Sequence, residues 1–546
     1  FIEQNTIIYV FNLINEWEII IEVPREKEFG DFSTNMAMQM AREARMPPAK
    51  IAAAIINNIE MDGTYIKKVE KAGPGFINFY LEKDWLYQAL QAIMAERENY
   101  GKLDIGKGRK VMVEFVSANP TGPLHMGNAR GGALGDCIAR ILEAVGYDVT
   151  REFYINDTGA QVEKFGASLE ARYIQLLKGE DAVEFPEDGY HGEDVIEHAR
   201  NYIKIHGDKL LGIPSGERRK MLAEYALGKN LESIRNDLEK YGIKFDVWFS
   251  EKTLYESGEF DETMEYLEQN GLTYEKDGAV WIKTSQFGTD KDEVLIRSNG
   301  IPTYFASDIA YHRNKFLKRK FDRVINLLGA DHHGHSSRMK AAMEALGVGP
   351  DKLDIIVFQL VRLYRNGEIA RMSKRTGKSI TLADILDEVG KDAARFFFSM
   401  QASGSHLDFD LDMAVKQSDE NPVYYVQYAH ARICSMLRVL EAEGVKVPAP
   451  GQVDLALLKT EAELELIRKL AEYPEEIGIA ARTLEPSRLT RYAIELAALF
   501  HGFYNSCRVK GKEESLVKAR LALVDCTRTV IRDILNLLCI NAPEKM

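Results

Sequence analysis

The chain has 546 residues, 45% of them hydrophobic, and a formal net charge of −13, which predicts a large globular protein of about two to four domains. No apolar run is long enough to span a bilayer, and the first segment lacks the basic leader of a signal peptide, so we expect a cytoplasmic protein. The five cysteines are odd in number and form no close pair, which argues against a disulfide framework and against a zinc site built on cysteine.

Residues 1–105 are predicted to form a small α/β module. A helical run at residues 36–44 precedes a break at Pro47 and Pro48, and residues 73–80, rich in glycine and aromatic side chains, are typical of a turn followed by a strand. Phe76 and Asn78 lie on this strand, and core packing is the more ordinary role for Phe76.

A strand, a turn, a helix and a second strand are predicted next. Residues 110–116 are apolar and β-branched, residues 134–145 carry apolar side chains at helical spacing, and residues 148–155 are again typical of a strand. The turn contains glycine, proline and His125 at the carboxyl end of the first strand, where parallel sheets bind ligands. Backbone N–H groups at the helix start could hold a phosphate together with His125, but a glycine-rich corner capped by this histidine explains the same spacing.

The sheet is expected to occupy residues 106–385. An insertion at about 160–290 is charged and helical at first and strand-like around residues 278–282, and the sheet resumes at residues 324–328. Residues 386–546 show no convincing strand pattern and end in a long amphipathic helix, which predicts a helical bundle. The predicted fold class is therefore α/β, with a Rossmann-like parallel-sheet domain, an insertion, a small N-terminal α/β module and an all-α C-terminal bundle.

A second motif, Arg-Met-Ser-Lys-Arg-Thr-Gly-Lys-Ser at residues 371–379, suits a loop that closes on phosphates. Its end resembles a P-loop, but that motif requires glycine where Met372 stands, so the P-loop is rejected. Another basic stretch, residues 313–320, is either a patch that faces nucleic acid or a solvated helix face. Such local patches indicate nucleic-acid binding better than the net charge of the whole chain does.

Residues 371–375 resemble the Lys-Met-Ser-Lys-Ser loop of class I aminoacyl-tRNA synthetases, and His-Met-Gly-Asn at residues 125–128 is similar to their His-Ile-Gly-His motif. Longer blocks at residues 114–125, 300–312, 328–334 and 391–396 narrow the resemblance to the arginyl-tRNA synthetase family. Many members carry a substitute lysine three residues before the first histidine of the motif. Here that position is Gly122, while Lys374 is present, which is consistent with Lys374 keeping the role.

The resemblance implies an enzyme that activates L-arginine with ATP and transfers it to the 3′ end of tRNA(Arg), with Mg²⁺ as cofactor and no DNA or membrane partner. It implies catalytic roles for His125, Asn128 and Lys374. It implies ATP contacts for His125, Gly127, Asn128, Gly329, His332, Met372, Ser373 and Lys374. It implies tRNA contacts for Phe76 and Asn78 at the tRNA elbow, and for Tyr425, Gln427 and Arg432 in an anticodon-binding domain at residues 386–546.

The implied arginine ligands are Glu114, Ser117, Asn119, Glu251, Tyr304, Asp308 and Asp331. A guanidinium donates in a planar fork, so carboxylates placed for bidentate bonds bind it best. Asp308 is the strongest candidate, with Tyr304 four residues earlier on the same helical face, although an N-cap would be its ordinary role without the resemblance. Asp331 is also followed by three histidines, His332, His333 and His335, but no suitably spaced partner ligand supports zinc, so no metal site is predicted.

Two alternatives remain. A cysteine-specific class I enzyme would need zinc ligands that the cysteine spacing does not supply. A non-catalytic tRNA-binding paralogue of a class I synthetase is the other, and the presence of both His125 and Lys374 argues against it.

Overall fold

The computed structural model of the chain describes residues 19–24, 26–330, 334–370 and 380–546. Five residues predicted to bind substrates lie outside these ranges: Asp331, His332, Met372, Ser373 and Lys374. The chain divides into two compact units. One contains the chain up to Arg97 with residues 440–471 and 503–526, and the other contains residues 98–439, 472–502 and 527–546.

The N-terminal part of the first unit is a small α/β structure, as predicted. Its elements are β1 (Phe32–Thr34), α1 (Met36–Gln39), α2 (Pro48–Ile56), β2 (Ile66–Ala72), β3 (Phe76–Leu81) and α3 (Asp84–Glu96). The strands form an antiparallel sheet in the order β1-β3-β2, and Met36, Ile51 and Ile77 share its core. The predicted helix at residues 36–44 is too long, because α1 ends at Gln39 and turns lead to Arg45, whose φ of 50° is left-handed.

The second unit begins with the predicted strand, helix and strand. These are β4 (Lys110–Glu114), α4 (Met126–Ala144) and β5 (Asp148–Ile155). Next come α5 (Gly159–Lys178), α6 (Glu193–His206), α7 (Ser215–Lys240), β6 (Val247–Ser250), α8 (Lys252–Glu256), α9 (Glu259–Gln269), β7 (Thr273–Lys276), β8 (Ala279–Ile282), β9 (Glu293–Ile296) and α10 (Tyr304–Arg313). Helices followed by strands at residues 160–290 confirm the secondary structure predicted for the insertion.

The central sheet is parallel, as expected. Helix α10 continues as a π-helix at Asn314–Lys318, and the sheet resumes with β10 (Arg323–Gly329), followed by α11 (His335–Ala345) and β11 (Leu353–Phe358). The strand order is β11-β10-β4-β5-β6. The chain therefore runs from β4 to one side of the sheet and later returns to the other side at β10. The crevice at the carboxyl ends of two such strands is the usual ligand site of an open parallel sheet.

Two glycines let α4 approach this sheet closely. A Cβ at Gly135 would lie 2.3 Å from Phe115 Cγ, and a Cβ at Gly131 would lie 2.8 Å from Phe358 Cζ. Any larger residue would therefore collide with an aromatic ring near the end of β4 or β11. This close packing sets the position of α4 over the sheet, and with it the position of the helix N-terminus that carries His125.

One strand beyond residue 386 was not expected. The elements between residues 361 and 414 are β12 (Val361–Arg365), β13 (Glu368–Ile369), α12 (Leu382–Ser399), β14 (Leu407–Asp410) and α13 (Leu411–Ala414). Strand β14 pairs in parallel with β12, so the prediction of no strand in this region is wrong. Its alternation of buried and exposed residues spans four positions, which is too short to be recognised among helices. The predicted boundary at residue 385 falls within α12, which bends at Gly390, where φ is 77°.

The remaining elements are helical. They are α14 (Pro422–Ala442), α15 (Glu461–Ala471), α16 (Tyr473–Thr483), α17 (Ser487–Ser506) and α18 (Glu514–Leu537). They confirm the helical C-terminal part, and α18 is the predicted amphipathic helix. Within the described ranges, no helix has both the length and the apolar character that a membrane crossing requires.

Candidate functional site

His125 caps helix α4 at the ligand edge of the sheet. Its Nδ1 accepts a hydrogen bond of 3.1 Å from Gly127 N, and its backbone N donates to Asn128 Oδ1 over 3.0 Å. Because Nδ1 accepts, the neutral ring carries its proton on Nε2. Capping and phosphate binding are therefore compatible: the cap orients the ring, and Nε2–H is a donor suited to an anion at this helix N-terminus.

The turn that contains His125 is joined to the chain that follows the predicted phosphate loop. His125 and Thr381 form an isolated antiparallel bridge, and Leu382 N donates to Leu124 O over 2.8 Å. Thr381 then caps α12, since its Oγ1 accepts from Asp384 N and its N donates to Asp384 Oδ2. The predicted phosphate loop, residues 371–379, lies outside the described residues, but the chain that follows it is anchored beside His125.

The backbone directly after β4 is strained. Val116 and Ser117 have φ values of 67° and 39°, and the left-handed region is one that a β-branched residue such as valine rarely adopts. The Ser117 hydroxyl stabilises this turn, because its Oγ accepts from Tyr154 N over 3.1 Å and donates to Glu114 Oε1 over 3.2 Å. Strain held in place by neighbouring groups is typical of functional sites.

Three of the predicted arginine ligands meet at this edge of the sheet. Glu114 ends β4, Glu251 follows β6 and Asp308 lies in α10. Burial, with the negative charges of Glu114 and Glu251, raises the pKa of Asp308 to about 7, against the opposing charges of Lys315 and Arg338. Burial also raises the pKa of Glu251. We call these three carboxylates the acidic cluster. It is a site whose charge favours a cationic ligand.

A lysine and a histidine border the acidic cluster. The fully buried Lys315 forms an ion pair with Glu114, and His335 Nε2 lies 3.5 Å from Asp308 Oδ2. The cap of α10 is Thr303, whose Oγ1 accepts from Ala306 N over 3.3 Å. The alternative role of Asp308 as an N-cap is therefore wrong.

Other residues predicted to bind substrates lie on the neighbouring elements. Tyr304 begins α10 and is 52% exposed, four residues before Asp308. Asn119 Nδ2 donates to Gln161 Oε1 over 2.5 Å. Gly329, predicted to contact ATP, ends β10, the strand that pairs with β4.

The basic stretch at residues 313–320 contains both buried and exposed side chains. Its ion pairs are Arg313–Glu262, Lys315–Glu114, Lys318–Glu259 and Arg319–Glu152. Most of these carboxylates are buried. Lys315 and Arg319 therefore balance buried acids within the unit, whereas Lys318 and Lys320 are exposed to solvent.

The two predicted tRNA contacts in the first unit differ in exposure. Phe76 is 38% exposed, so the expectation that it packs in the core is wrong. Asn78 is 3% exposed, and its Oδ1 accepts from Ser33 Oγ over 2.7 Å. Phe76 thus has surface to offer a partner, whereas the Asn78 side chain bonds inside the module.

The predicted tRNA contacts in the helical region also separate. Tyr425 and Arg432 lie near His501: the Tyr425 and His501 ring centroids are 4.7 Å apart, and Arg432 Nη1 is 3.3 Å from His501 Nδ1. The Arg432 guanidinium also lies 4.5 Å from the centre of the Tyr428 ring. Gln427 instead donates to Asp392 Oδ2 and to a main-chain carbonyl. We call Tyr425, Tyr428, Arg432 and His501 the aromatic group.

Two residues of the acidic site were not anticipated. The hydroxyl of Tyr154 on β5 has its pKa raised by burial and by the three carboxylates of the acidic cluster. Lys315 was assigned to a surface patch. One signal could have found it, because its seven-residue spacing from Asp308 places both on one face of a regular helix.

Three family models match the chain in succession: the arginyl tRNA synthetase N terminal domain at residues 4–81, the catalytic domain of class I (R) tRNA synthetases at 89–399, and the DALR anticodon binding domain at 426–546. The arginine–tRNA ligases of Acetivibrio thermocellus and Ruminiclostridium cellulolyticum are 69% and 65% identical over 529 residues, 97% of this chain and 94% of each relative. The solved arginyl-tRNA synthetase of Thermus thermophilus shares the fold, with a TM-score of 0.79 at 23% identity and 99% coverage of both chains. The chain therefore belongs to the arginyl-tRNA synthetase family of class I aminoacyl-tRNA synthetases.

Proposed function

We propose that the acidic cluster recognises the guanidinium of arginine in the reaction of an arginine–tRNA ligase, the activity of this family. The observation that carries the proposal is the convergence of Glu114, Glu251 and Asp308 at the ligand edge of the sheet, with Lys315 paired to the first of them. Burial and, after it, the negative charges of Glu114 and Glu251 raise the pKa of Asp308, and a bound cation would offset both effects. A guanidinium suits such a site because it donates to more than one carboxylate at once.

The rest of the arginine site follows from the same assignment. Ser117 and Asn119, in the turn after β4, would bind the α-amino and carboxylate groups of the amino acid. Tyr304 would pack on the guanidinium or bond to it, from the helix that carries Asp308. We also assign Asp331 to this site, on the family block at residues 328–334.

Activation joins the arginine carboxylate to the α-phosphorus of ATP and releases pyrophosphate. No protein nucleophile is needed, so catalysis depends on positioning two anions and balancing their charge. We assign His125 Nε2, whose ring is oriented by the Gly127 amide, to the α-phosphate, together with Gly127 and Asn128 at the start of α4, and Lys374 to the β- and γ-phosphates. The remaining proposed nucleotide contacts are Gly329, His332, Met372 and Ser373.

Mg²⁺ would accompany the nucleotide and neutralise charge on its phosphates. Across the described part of the chain, no group of three or more His, Cys, Asp or Glu side chains could hold a metal ion. Magnesium is commonly bound through substrate phosphates with few protein ligands, which fits this donor set.

Transfer to tRNA gives the other parts of the chain their proposed roles. We assign residues 1–105 to the tRNA elbow, through Phe76 and Asn78, residues 106–385 to catalysis, and residues 386–546 to the anticodon. The aromatic group would stack on unpaired bases. Gln427 keeps its predicted role with less support, because its amide nitrogen already has two acceptors. A cytoplasmic location fits a translation enzyme.

The test is ATP–pyrophosphate exchange with a panel of amino acids, with and without tRNA(Arg). Members of this family commonly need tRNA before they activate the amino acid, so the arm with tRNA is decisive. We expect exchange that depends on arginine. Exchange with a different amino acid, or tRNA binding with no exchange at all, would refute the proposal, and the second result would favour the non-catalytic paralogue.

A further inference from the structure

Three buried polar side chains lie side by side across the centre of the sheet. Asn326 on β10, Glu114 on β4 and Glu152 on β5 are register partners along one row. They are 4%, 7% and 0% exposed. Register partners on neighbouring parallel strands point to the same face, so the three side chains form a buried polar row. Each of its members must find partners in the layer that covers it.

Helix α10 and the π-helix after it supply those partners. Asn326 Nδ2 donates to His312 Nε2 over 2.7 Å, and Tyr311 Oη donates to Glu152 Oε1 over 2.5 Å. Lys315 contacts two members of the row, because its Nζ pairs with Glu114 and also donates to Asn326 Oδ1 over 3.3 Å.

The same contacts tie Asp308 to the sheet. His312 Nε2 accepts from Asn326, so the neutral ring carries its proton on Nδ1, which donates to the Asp308 main-chain carbonyl over 2.7 Å. Burial lowers the pKa of His312 well below its usual range, so the ring is neutral. The π-helix at Asn314–Lys318 begins two residues later, and π-helical turns are often found at functional sites.

We propose that Lys315 is a positioning residue of the arginine site, which holds the Glu114 carboxylate in place from the helical segment that follows Asp308. This rests on the proposed function, because it assumes that the acidic cluster binds arginine. Lys315 touches no substrate in this account. It is fully buried and lies on the helical segment that follows α10. From there it contacts Asn326 and supplies the positive charge opposite Glu114. An arginine that entered would meet Glu251 and Asp308, neither of which forms the direct ion pair that Lys315 makes with Glu114.

Removal of the lysine charge should alter arginine recognition in a defined way. The groups that act on Asp308 are Glu114, Glu251, Lys315, Arg338 and the nearby His335. The positive charge of Lys315 lowers the pKa of Asp308, so its loss raises that pKa further. Ionised Asp308 then becomes available at higher pH than in the wild-type protein. A role limited to packing would leave this pH dependence unchanged.

The experiment compares Lys315→Met with Lys318→Met in arginine-dependent ATP–pyrophosphate exchange with tRNA. Lys318 is a matched control on the same π-helix, but its partner is Glu259. For Lys315→Met we expect the KM for arginine to rise about tenfold or more, with the KM for ATP within about threefold of wild type. The acidic limb of kcat/KM for arginine should move to higher pH. Lys318→Met should match the wild-type protein in all three.

A second comparison covers the case in which Lys315→Met fails to fold. If Lys315 acts through Glu114, then Glu114→Gln and the double variant Glu114→Gln/Lys315→Met should agree in the KM for arginine within about threefold. A double variant that is about tenfold worse than Glu114→Gln, or a Lys315→Met protein with the wild-type KM and pH profile, overturns the proposal. Failure of the proposed function would look different, since the wild-type protein itself would then show no exchange with arginine.

Discussion

His335 Nε2 lies 3.5 Å from Asp308 Oδ2. The histidine begins α11, after β10, and the carboxylate lies in α10, so two elements contribute to one edge of the acidic cluster. A guanidinium that binds Asp308 would lie beside the same carboxylate that the His335 imidazole contacts. Arginine recognition at this site is therefore expected to depend on the protonation of Asp308.

The first prediction concerns pH. The pKa of Asp308 is raised to about 7 by burial and by Glu114 and Glu251, while Lys315 and Arg338 oppose the shift and His335 lies beside it. Below this pH the carboxyl is protonated and loses its attraction for the guanidinium, which stays charged throughout. We expect kcat/KM for arginine to fall by up to about tenfold per pH unit below about 7 and to level off above about 8.

The measurement is the pH profile of exchange at varied arginine concentration, with the KM for ATP followed in parallel as the control. An arginine profile that stays flat from pH 6 to pH 8.5, or a fall shared equally by ATP, would contradict the assignment.

The second prediction concerns the phosphate-binding turn. His125→Ala removes both the cap of α4 and the proposed donor to the α-phosphate. The activation rate should fall by about 10²–10³-fold, as for loss of one charge-stabilising donor, and Lys374→Ala should have a similar effect. The affinity for tRNA should change little. Single-turnover formation of the adenylate measures the effect, with His206→Ala in the insertion as control. Near-normal activation in both variants would count against these roles.

The third prediction concerns stability. Arg395 is fully buried, and it donates to Asp136 Oδ2 over 2.6 Å and to Leu538 O over 2.7 Å. Arg395→Leu leaves the buried Asp136 with only its pairs to Arg140 and Arg151, so unfolding should become easier by about 1.5–3 kcal/mol, the contribution of a hydrogen bond to a charged group. The control is Arg362→Ala, whose half-exposed pair with Asp408 should contribute little to stability. The urea midpoints of unfolding of the two variants measure the difference. Equal midpoints would show that the buried pair of Arg395 with Asp136 contributes no more to stability than the exposed pair.

The fourth prediction concerns tRNA. The aromatic group includes Arg432, whose guanidinium lies 4.5 Å from the Tyr428 ring centre. If this arginine also contacts tRNA phosphate, Arg432→Ala should weaken binding and reduce the slope of log affinity against log salt by about one. The rate at saturating tRNA should be unchanged. Arg438→Ala provides a control, because Arg438 donates to the main-chain carbonyls of Cys434 and Glu544. Equal effects of the two variants would contradict the assignment.

Part of this architecture could be predicted from the sequence, because local signals agree with the final fold. The strand, turn and helix around His125 show clear periodicity, and their positions follow from it. The roles of Glu114, Glu251 and Asp308 came from the family resemblance. The structure adds that the three share one edge of the sheet.

Other features depend on contacts that a linear pattern does not contain. All the charged side chains at residues 313–320 were predicted to be exposed. Charge alone does not show that Lys315 contacts Glu114, some 200 positions earlier in the chain. Strand β14 is too short for its period to stand out, and its pairing with β12 is what defines it. The left-handed φ of Val116 likewise results from the surrounding turn, because valine alone disfavours this backbone conformation.

Asp308 is proposed to accept the guanidinium of arginine, and Asp308→Asn is the substitution that tests this role. This change keeps the shape of the side chain but turns one acceptor into a donor that would face an N–H group. Loss of one partner of a shielded charge pair costs about 3–5 kcal/mol, so kcat/KM for arginine should fall by roughly 10²–10³-fold or more. The KM for ATP should barely change, and citrulline, neutral but of equal length, should lose its disadvantage relative to arginine.

The decisive measurement is therefore the ratio of kcat/KM for arginine to that for citrulline, in ATP–pyrophosphate exchange with tRNA, for wild type and Asp308→Asn. We expect this ratio to collapse in the variant while ATP binding is retained. An unchanged ratio, or equal damage to arginine and ATP binding, would show that Asp308 is structural and that the guanidinium is recognised at Glu114 or Glu251.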